Sequence, residues 1–107
     1  MGVWDGFFSF YAEERGAVVT ATDDENYSWG KFGTGKAGFD FARKTRKSKV
    51  NEYISSAGNL CADDVGTFDI VFFFGVLYHI KCPYRSLETA RGLTRSMAII
   101  LHQMRLV

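Results

Sequence analysis

Apolar and polar positions divide the chain into short β-branched runs separated by stretches of helical spacing. Residues 2–16 (GVWDGFFSFYAEERG) open as a glycine turn and continue as a helix, because Phe7, Phe8, Phe10 and Tyr11 recur at helical spacing and Gly16 stands where a helix would stop. These rings are expected to form core by covering a sheet. Residues 17–22 (AVVTAT) are β-branched and run into Asp23-Asp24, as a buried strand does on emerging into a loop. Residues 27–39 are rich in glycine and aromatics, and residues 40–49 then change to a basic helical pattern that ends near Ser48. Residues 50–55 (VNEYIS) predict a second short strand and residues 57–66 a loop. The apolar run at 68–74 (FDIVFFF), bounded by Gly66 and Gly75, predicts a strand covered on both faces, with Phe72, Phe73 and Phe74 in the core. Pro83 suits a first helical position, and Tyr84, Leu87, Ala90 and Leu93 recur every third residue, so a helix is expected over 83–94. Residues 97–101 (MAIIL) supply a fourth strand. Strands alternating with helices predict parallel pairing through right-handed crossovers, hence an α/β, Rossmann-like sandwich.

Composition narrows the class. A chain of 107 residues that is 47% hydrophobic and 16% aromatic is expected to form one globular domain over 1–107 rather than a disordered segment. With 13 Lys plus Arg against 12 Asp plus Glu, the formal net charge is +1, so any nucleic-acid binding must depend on a local patch. The two cysteines, Cys61 and Cys82, have neither metal nor redox spacing and make no disulfide framework, which points to a reducing cytoplasm. The longest apolar stretch, residues 70–80, is too short to span a bilayer, and no basic start followed by an apolar run marks a signal peptide. The expectation is a soluble intracellular protein with no membrane partner.

In α/β sheets ligands bind beyond the carboxyl ends of the strands, which directs attention to the strand-to-helix turns. Gly2 and Gly6 flank Val3-Trp4-Asp5 ahead of a helix, allowing a close backbone approach and presenting helix N-terminal amides. Asp23, at a strand end, can accept hydrogen bonds from both hydroxyls of a ribose, whereas without Gly2 and Gly6 it would read as a solvated helix cap. The basic run Arg43, Lys44, Arg46, Lys47 and Lys49 would suit RNA phosphates, but it also suits a solvated helix end whose cations meet the helix dipole. Gly33-Thr34-Gly35-Lys36 lacks the hydroxyl after Lys36 and the spacing of a phosphate-binding P-loop. His102 and the two cysteines are too scattered for a metal site, and none is assigned.

The segments ATDDENYSWGKFGTGKAGFDFA and FDIVFFFGVLYHIKCPYRSLETARGL, with GVWDG and the strand ending in Asp23, resemble class I S-adenosylmethionine-dependent methyltransferases. The likeness is to the subgroup similar to tRNA wobble-uridine methyl and carboxymethyl transferases, and it extends over nearly the whole chain. It implies S-adenosyl-L-methionine as cofactor, with Gly2, Trp4 and Gly6 on its methionine and ribose side, Asp23 on the ribose hydroxyls and Asp24 beside the adenine. Ser56 and Ala57 would meet the adenine edge. Ser56 stands where the family often has Asp, which implies a weaker hold on the exocyclic amine. Gly75 and Val76 would approach through backbone atoms, and Tyr78 and His79 would face an RNA or small-molecule methyl acceptor. The sulfonium is already activated, so the chemistry needs alignment more than a catalytic triad. His79 could act as a base, and a hydrogen-bonded structural His is the alternative.

Domains of that family begin with a strand ending in an acidic residue just before the glycine turn, and they finish with antiparallel strands. Here the chain starts on the turn and stops soon after the strand at 97–101, so the resemblance implies a partial, mostly parallel three-layer sandwich with its first and last strands missing, as in a truncated fragment. The strands at 17–22 and 68–74 would then lose the neighbour between them and either pair with each other or leave the sheet split. Low stability, against an ordinary margin of about 5–15 kcal/mol, or association with another chain through exposed strand edges is the expected consequence. Two other readings remain in view: a non-catalytic remnant or interaction module that pairs its open edges with a partner, and an NAD-type domain, ranked last because Gly2 and Gly6 do not fit a G-x-G-x-x-G spacing.

Overall fold

Helices and strands alternate along the chain in the computed structural model, which describes residues 1–30 and 34–103. The order is α1 (Phe7–Glu13), β1 (Thr20–Asp23), α2 (Gly35–Arg46), β2 (Asn51–Ile54), α3 (Ala62–Val65), β3 (Phe68–Phe74), a 3-10 turn (Leu77–His79), α4 (Pro83–Leu93) and β4 (Thr94–Leu101). The protein is therefore mixed α/β. Its strands pair in parallel as expected, β1 with β2 and β3 with β4, but as two separate two-stranded sheets. Of the two arrangements open to strands β1 and β3, the split one is observed. The chain divides into two compact units, Val3–Ser56 and Ala57–Val107, the latter including Met1–Gly2.

In the Val3–Ser56 unit a cluster of buried rings closes the core. Phe10, Trp29 and Phe39 pack with Ala21 and Val50, and the Phe39 ring lies 5.3 Å from Phe10 and 4.8 Å from Trp29. The register runs from Thr20 opposite Asn51 to Asp23 opposite Ile54. Helix α1 ends in a turn at Gly16, whose φ of +89° is left-handed. Of the four rings expected in the core, only Phe10 is buried; Phe7, Phe8 and Tyr11 are exposed. One ring per helical turn suffices to meet the Phe39 cluster, and Phe7 instead stacks on Tyr11 along the outside of the helix. The first strand starts later than its β-branched run, leaving Val18 exposed, and α2 starts at Gly35 rather than at residue 40. Lys47, in the left-handed region at φ +51°, ends α2 with amide contacts back to Arg43 and Lys44 carbonyls.

In the other unit, β3 spans the residues its apolar run marks, and α4 starts at Pro83 as expected and ends one residue early. Thr94 leaves the helix with extended backbone and passes straight into β4, which therefore starts three residues before the expected 97. A register irregularity between Phe68 and Ile70 absorbs an extra residue on β4; from there Ile70 pairs with Met97 and Phe74 with Leu101. Leu60, Val71, Phe73, Ala90 and Leu93 form the core. The expectation of cover on both faces fails: α4 buries Val71 and Phe73, whereas Ile70 is exposed and Phe72 and Phe74 are only half-buried. The loop expected at 57–66 contains the one-turn helix α3, and the turn at Leu77–His79 was not expected.

Candidate functional site

The sharpest geometry lies in the Val3–Ser56 unit, where a glycine turn is held to a strand end. Trp4 has φ +50° and Gly6 φ +90°, and the Gly6 N–H donates to the Val3 carbonyl at 3.0 Å, closing the turn ahead of α1. A Cβ on Gly6 would stand 2.5 Å from the Phe10 ring and 2.6 Å from the Phe39 ring, so the turn sits directly on the ring core. The Asp23 carboxylate, carried by the last residue of β1, accepts the Trp4 N–H through Oδ2 and the Asp24 N–H through Oδ1, each at 2.7 Å. The Trp29 indole N–H donates to the Trp4 carbonyl at 2.7 Å. The Trp4 side chain occupies the space a Cβ on Gly35 would need, 2.1 Å from Cδ1. Strand end and turn thus converge on one point, and charge-assisted bonds from two amides fix the carboxylate.

That geometry bears on what Asp23 could hold. A carboxylate offers about four lone-pair positions, and the two backbone amides occupy one on each oxygen, so one remains on each for a diol. Asp23 therefore keeps an acceptor position on each oxygen, as a ribose diol would require. Asp24 fits less well beside an adenine, since its Oδ1 already accepts the Asn26 N–H at 2.7 Å and the Asn26 side-chain amide at 3.1 Å. It is a turn former. Ser56 closes the same unit, and its carbonyl accepts the Ser55 hydroxyl at 3.2 Å. Thr22 Oγ1, on β1 beside Asp23, is buried without a hydrogen-bond partner among the described residues.

The remaining expected residues belong to the other unit. Gly2, at φ +73°, lies against β3: a Cβ there would meet Val76 Cγ2 at 2.1 Å and the Phe74 carbonyl at 2.8 Å. The Met1 amine donates to the Phe72 carbonyl at 2.8 Å. Gly75, at φ +68°, turns the chain out of β3, and its N–H donates to the Leu101 carbonyl at 3.0 Å. Ala57 and Val76 pack on this unit's core. Tyr78 and His79 sit in the following turn with ring centroids 4.3 Å apart. His102, which sequence spacing leaves isolated, stands 5.8 Å from Tyr78, because parallel pairing sets the ends of β3 and β4 side by side. No spacing rule could have joined it to Tyr78; the pairing of two apolar runs was the available signal.

Electrostatics in the Val3–Ser56 unit gather on its surface. Partial burial pulls the Lys36 ammonium down, but hydrogen bonds to Asp40 and Glu52 outweigh this and hold it above the usual lysine value. A hydrogen bond with Ser48 holds the Glu13 carboxyl below the usual carboxylate range, aided by the Lys49 N–H at 2.6 Å. Part of the basic run is engaged internally, Arg46 with Glu14 and Arg43 with Glu52. Gly33 of the rejected phosphate loop lies outside the described residues. Among the described residues no group of three or more His, Cys, Asp or Glu could hold a metal, and no helix is long and apolar enough to cross a membrane. No family model matches the chain, and neither a curated protein nor a solved structure does.

Proposed function

We propose that the chain is a Rossmann-like, S-adenosyl-L-methionine-dependent methyltransferase domain acting in the cytoplasm on an RNA or small-molecule acceptor. The observation that supports this reading is the contact of the Asp23 carboxylate with the Trp4 amide, which brings the strand-end acid and the glycine turn to one place and leaves acceptor positions for a ribose diol. Bound there, the cofactor would supply an activated methyl group. Asp23 would orient the ribose, and the turn at Trp4–Gly6 would form the wall beside it. The cofactor roles of Gly2, Ala57, Gly75 and Val76, and of Tyr78 and His79 toward an acceptor, rest on the family resemblance alone.

Calorimetric titration of the full chain with S-adenosylmethionine and with its demethylated product tests the reading, and absence of heat at millimolar ligand overturns it. Asp23→Ala is expected to weaken binding by about 1.5–3 kcal/mol, the range for a hydrogen bond to a charged group. Asp23→Asn, which keeps one carbonyl acceptor for the Trp4 amide, separates loss of ligand from loss of the turn.

A second reading, a non-catalytic module that associates through open sheet edges, is favoured by the exposure of β4 along nearly its whole length. Cofactor titration with no heat, together with a concentration-dependent mass, would select it.

A further inference from the structure

The association reading leaves open which edge pairs, and with what; the inference here rests on that reading and answers both. Every strand of a two-stranded sheet has an edge; β3 already accepts the Met1 amine at its Phe72 carbonyl, and the second strands of the two pairs, β2 and β4, differ in chemistry. Strand β2 offers four residues, of which Glu52 carries a charge and is tied to Lys36 at 2.8 Å. Strand β4 offers eight, and from Ser96 to Leu101 it has no charge and no proline. Its last apolar side chains are exposed on both faces of the sheet: Met97 53%, Ile99 40%, Ile100 44% and Leu101 59%. The one charge on the strand, Arg95, stands at its start and pairs with Asp69 at 3.1 Å. Natural edges carry charges, prolines or short lengths to prevent pairing, and beyond Arg95 this edge has none of them.

The backbone fixes which groups face outward. The Leu101 carbonyl accepts the Gly75 N–H, so Leu101 turns its backbone groups toward β3. By strand alternation Ile99 and Met97 do the same, and the N–H and C=O of Ala98 and Ile100 face away from β3. Among the described residues no strand pairs with that side. We propose that β4 pairs antiparallel with β4 of a second copy of this chain, about a two-fold axis through Ala98.

A second copy fits because the segment is complementary to itself. Ala98 faces the partner's Ala98, the smallest apolar contact available on the strand, and Ile100 faces the partner's Ser96. The closer, non-hydrogen-bonded positions bring Met97 against the partner's Ile99. Arg95 falls opposite the partner's Leu101, so no like charges meet. Isologous pairing of this kind closes on itself and joins two two-stranded sheets into one of four strands. One strand of this length makes an interface below about 1,200 Å², which implies a weak, concentration-dependent dimer.

Sedimentation of the full chain from about 10 to about 500 µM should show its mass rise from one chain toward two, the range in which small interfaces associate. Ala98→Pro removes an outward N–H without removing a bond to β3, and Ala98→Lys sets two ammonium groups face to face; each should weaken association at least about tenfold. Should the proline variant fail to fold, as judged by circular dichroism, the lysine variant and hydrogen exchange decide: the Ala98 and Ile100 amides should gain protection as concentration rises. A wild-type chain that stays monomeric throughout overturns both the dimer and the association reading. A dimer that survives both Ala98 variants but is lost in Ile54→Lys on β2 overturns the β4 assignment and leaves edge association standing.

Discussion

The Val3–Ser56 and Ala57–Val107 units both place a parallel strand pair under helices, and they finish the pair in different ways. In the first the strands are four residues long, rings fill the core, and the outer strand carries Glu52 held by Lys36 and Arg43. In the second the strands have seven and eight residues, the core is largely aliphatic around Phe73, and the outer strand is apolar and open. In the short sheet, whose second strand is also exposed, β1 ends in the carboxylate that pins the glycine turn. A longer sheet with one face covered carries surplus apolar surface that a second chain can bury. The proposed ribose contact at Asp23 therefore lies in the first unit, and the proposed self-association in the second.

The comparison breaks most readily in the cores. Phe39→Ala removes a fully buried ring and should cost about 3–5 kcal/mol in chemical denaturation; Phe73→Ala should cost as much in its own core. Both tryptophans of the chain, Trp4 and Trp29, lie in the Val3–Ser56 unit, so indole emission follows that unit. If Phe73→Ala moves the emission midpoint as far as Phe39→Ala does, the units unfold together and the contrast is lost. A smaller effect sharpens the account of the glycine turn. Gly6→Ala should cost about 3 kcal/mol, combining a left-handed backbone with a Cβ driven into two rings. Gly16→Ala, with a similar φ but open space around its Cβ, should cost about 1 kcal/mol in the same assay.

The smallest effects are titrations. Glu13 is held below its ordinary value of 4.5 chiefly by Ser48, so its contribution is present above that pH and is lost as pH falls through the lowered folded value. Glu13→Gln should flatten the acid limb of stability measured by indole emission. Lys36 is held above its ordinary 10.5, so its contribution is present below that pH and disappears as pH rises through the raised folded value. Lys36→Met should flatten the alkaline limb. Unchanged limbs in both variants would show that these surface contacts do not distinguish the first unit.

What the sequence made legible were features with local causes. The bounds of β3 follow from an apolar run between glycines, and the start of α4 follows from Pro83. The start of α2 at Gly35 was hidden, because glycine disfavours helix locally and the reason for it is the Trp4 indole, far away along the chain. Helical spacing identified Phe7, Phe8, Phe10 and Tyr11 as one set but could not say that Phe10 alone meets Phe39. Asp23 was readable as a strand-end acid, whereas its bond to the Trp4 amide depends on the chain returning past its own start. The same holds for His102, whose proximity to Tyr78 exists only once two strands have chosen each other and a direction.

The indole of Trp4 fills the volume that a Cβ on Gly35 would need. Bulk at the two positions is therefore exchangeable but not additive. A homologue with alanine at the helix position should carry a smaller residue in the turn, and the double substitution Trp4→Ala/Gly35→Ala should be milder than the two single losses combined.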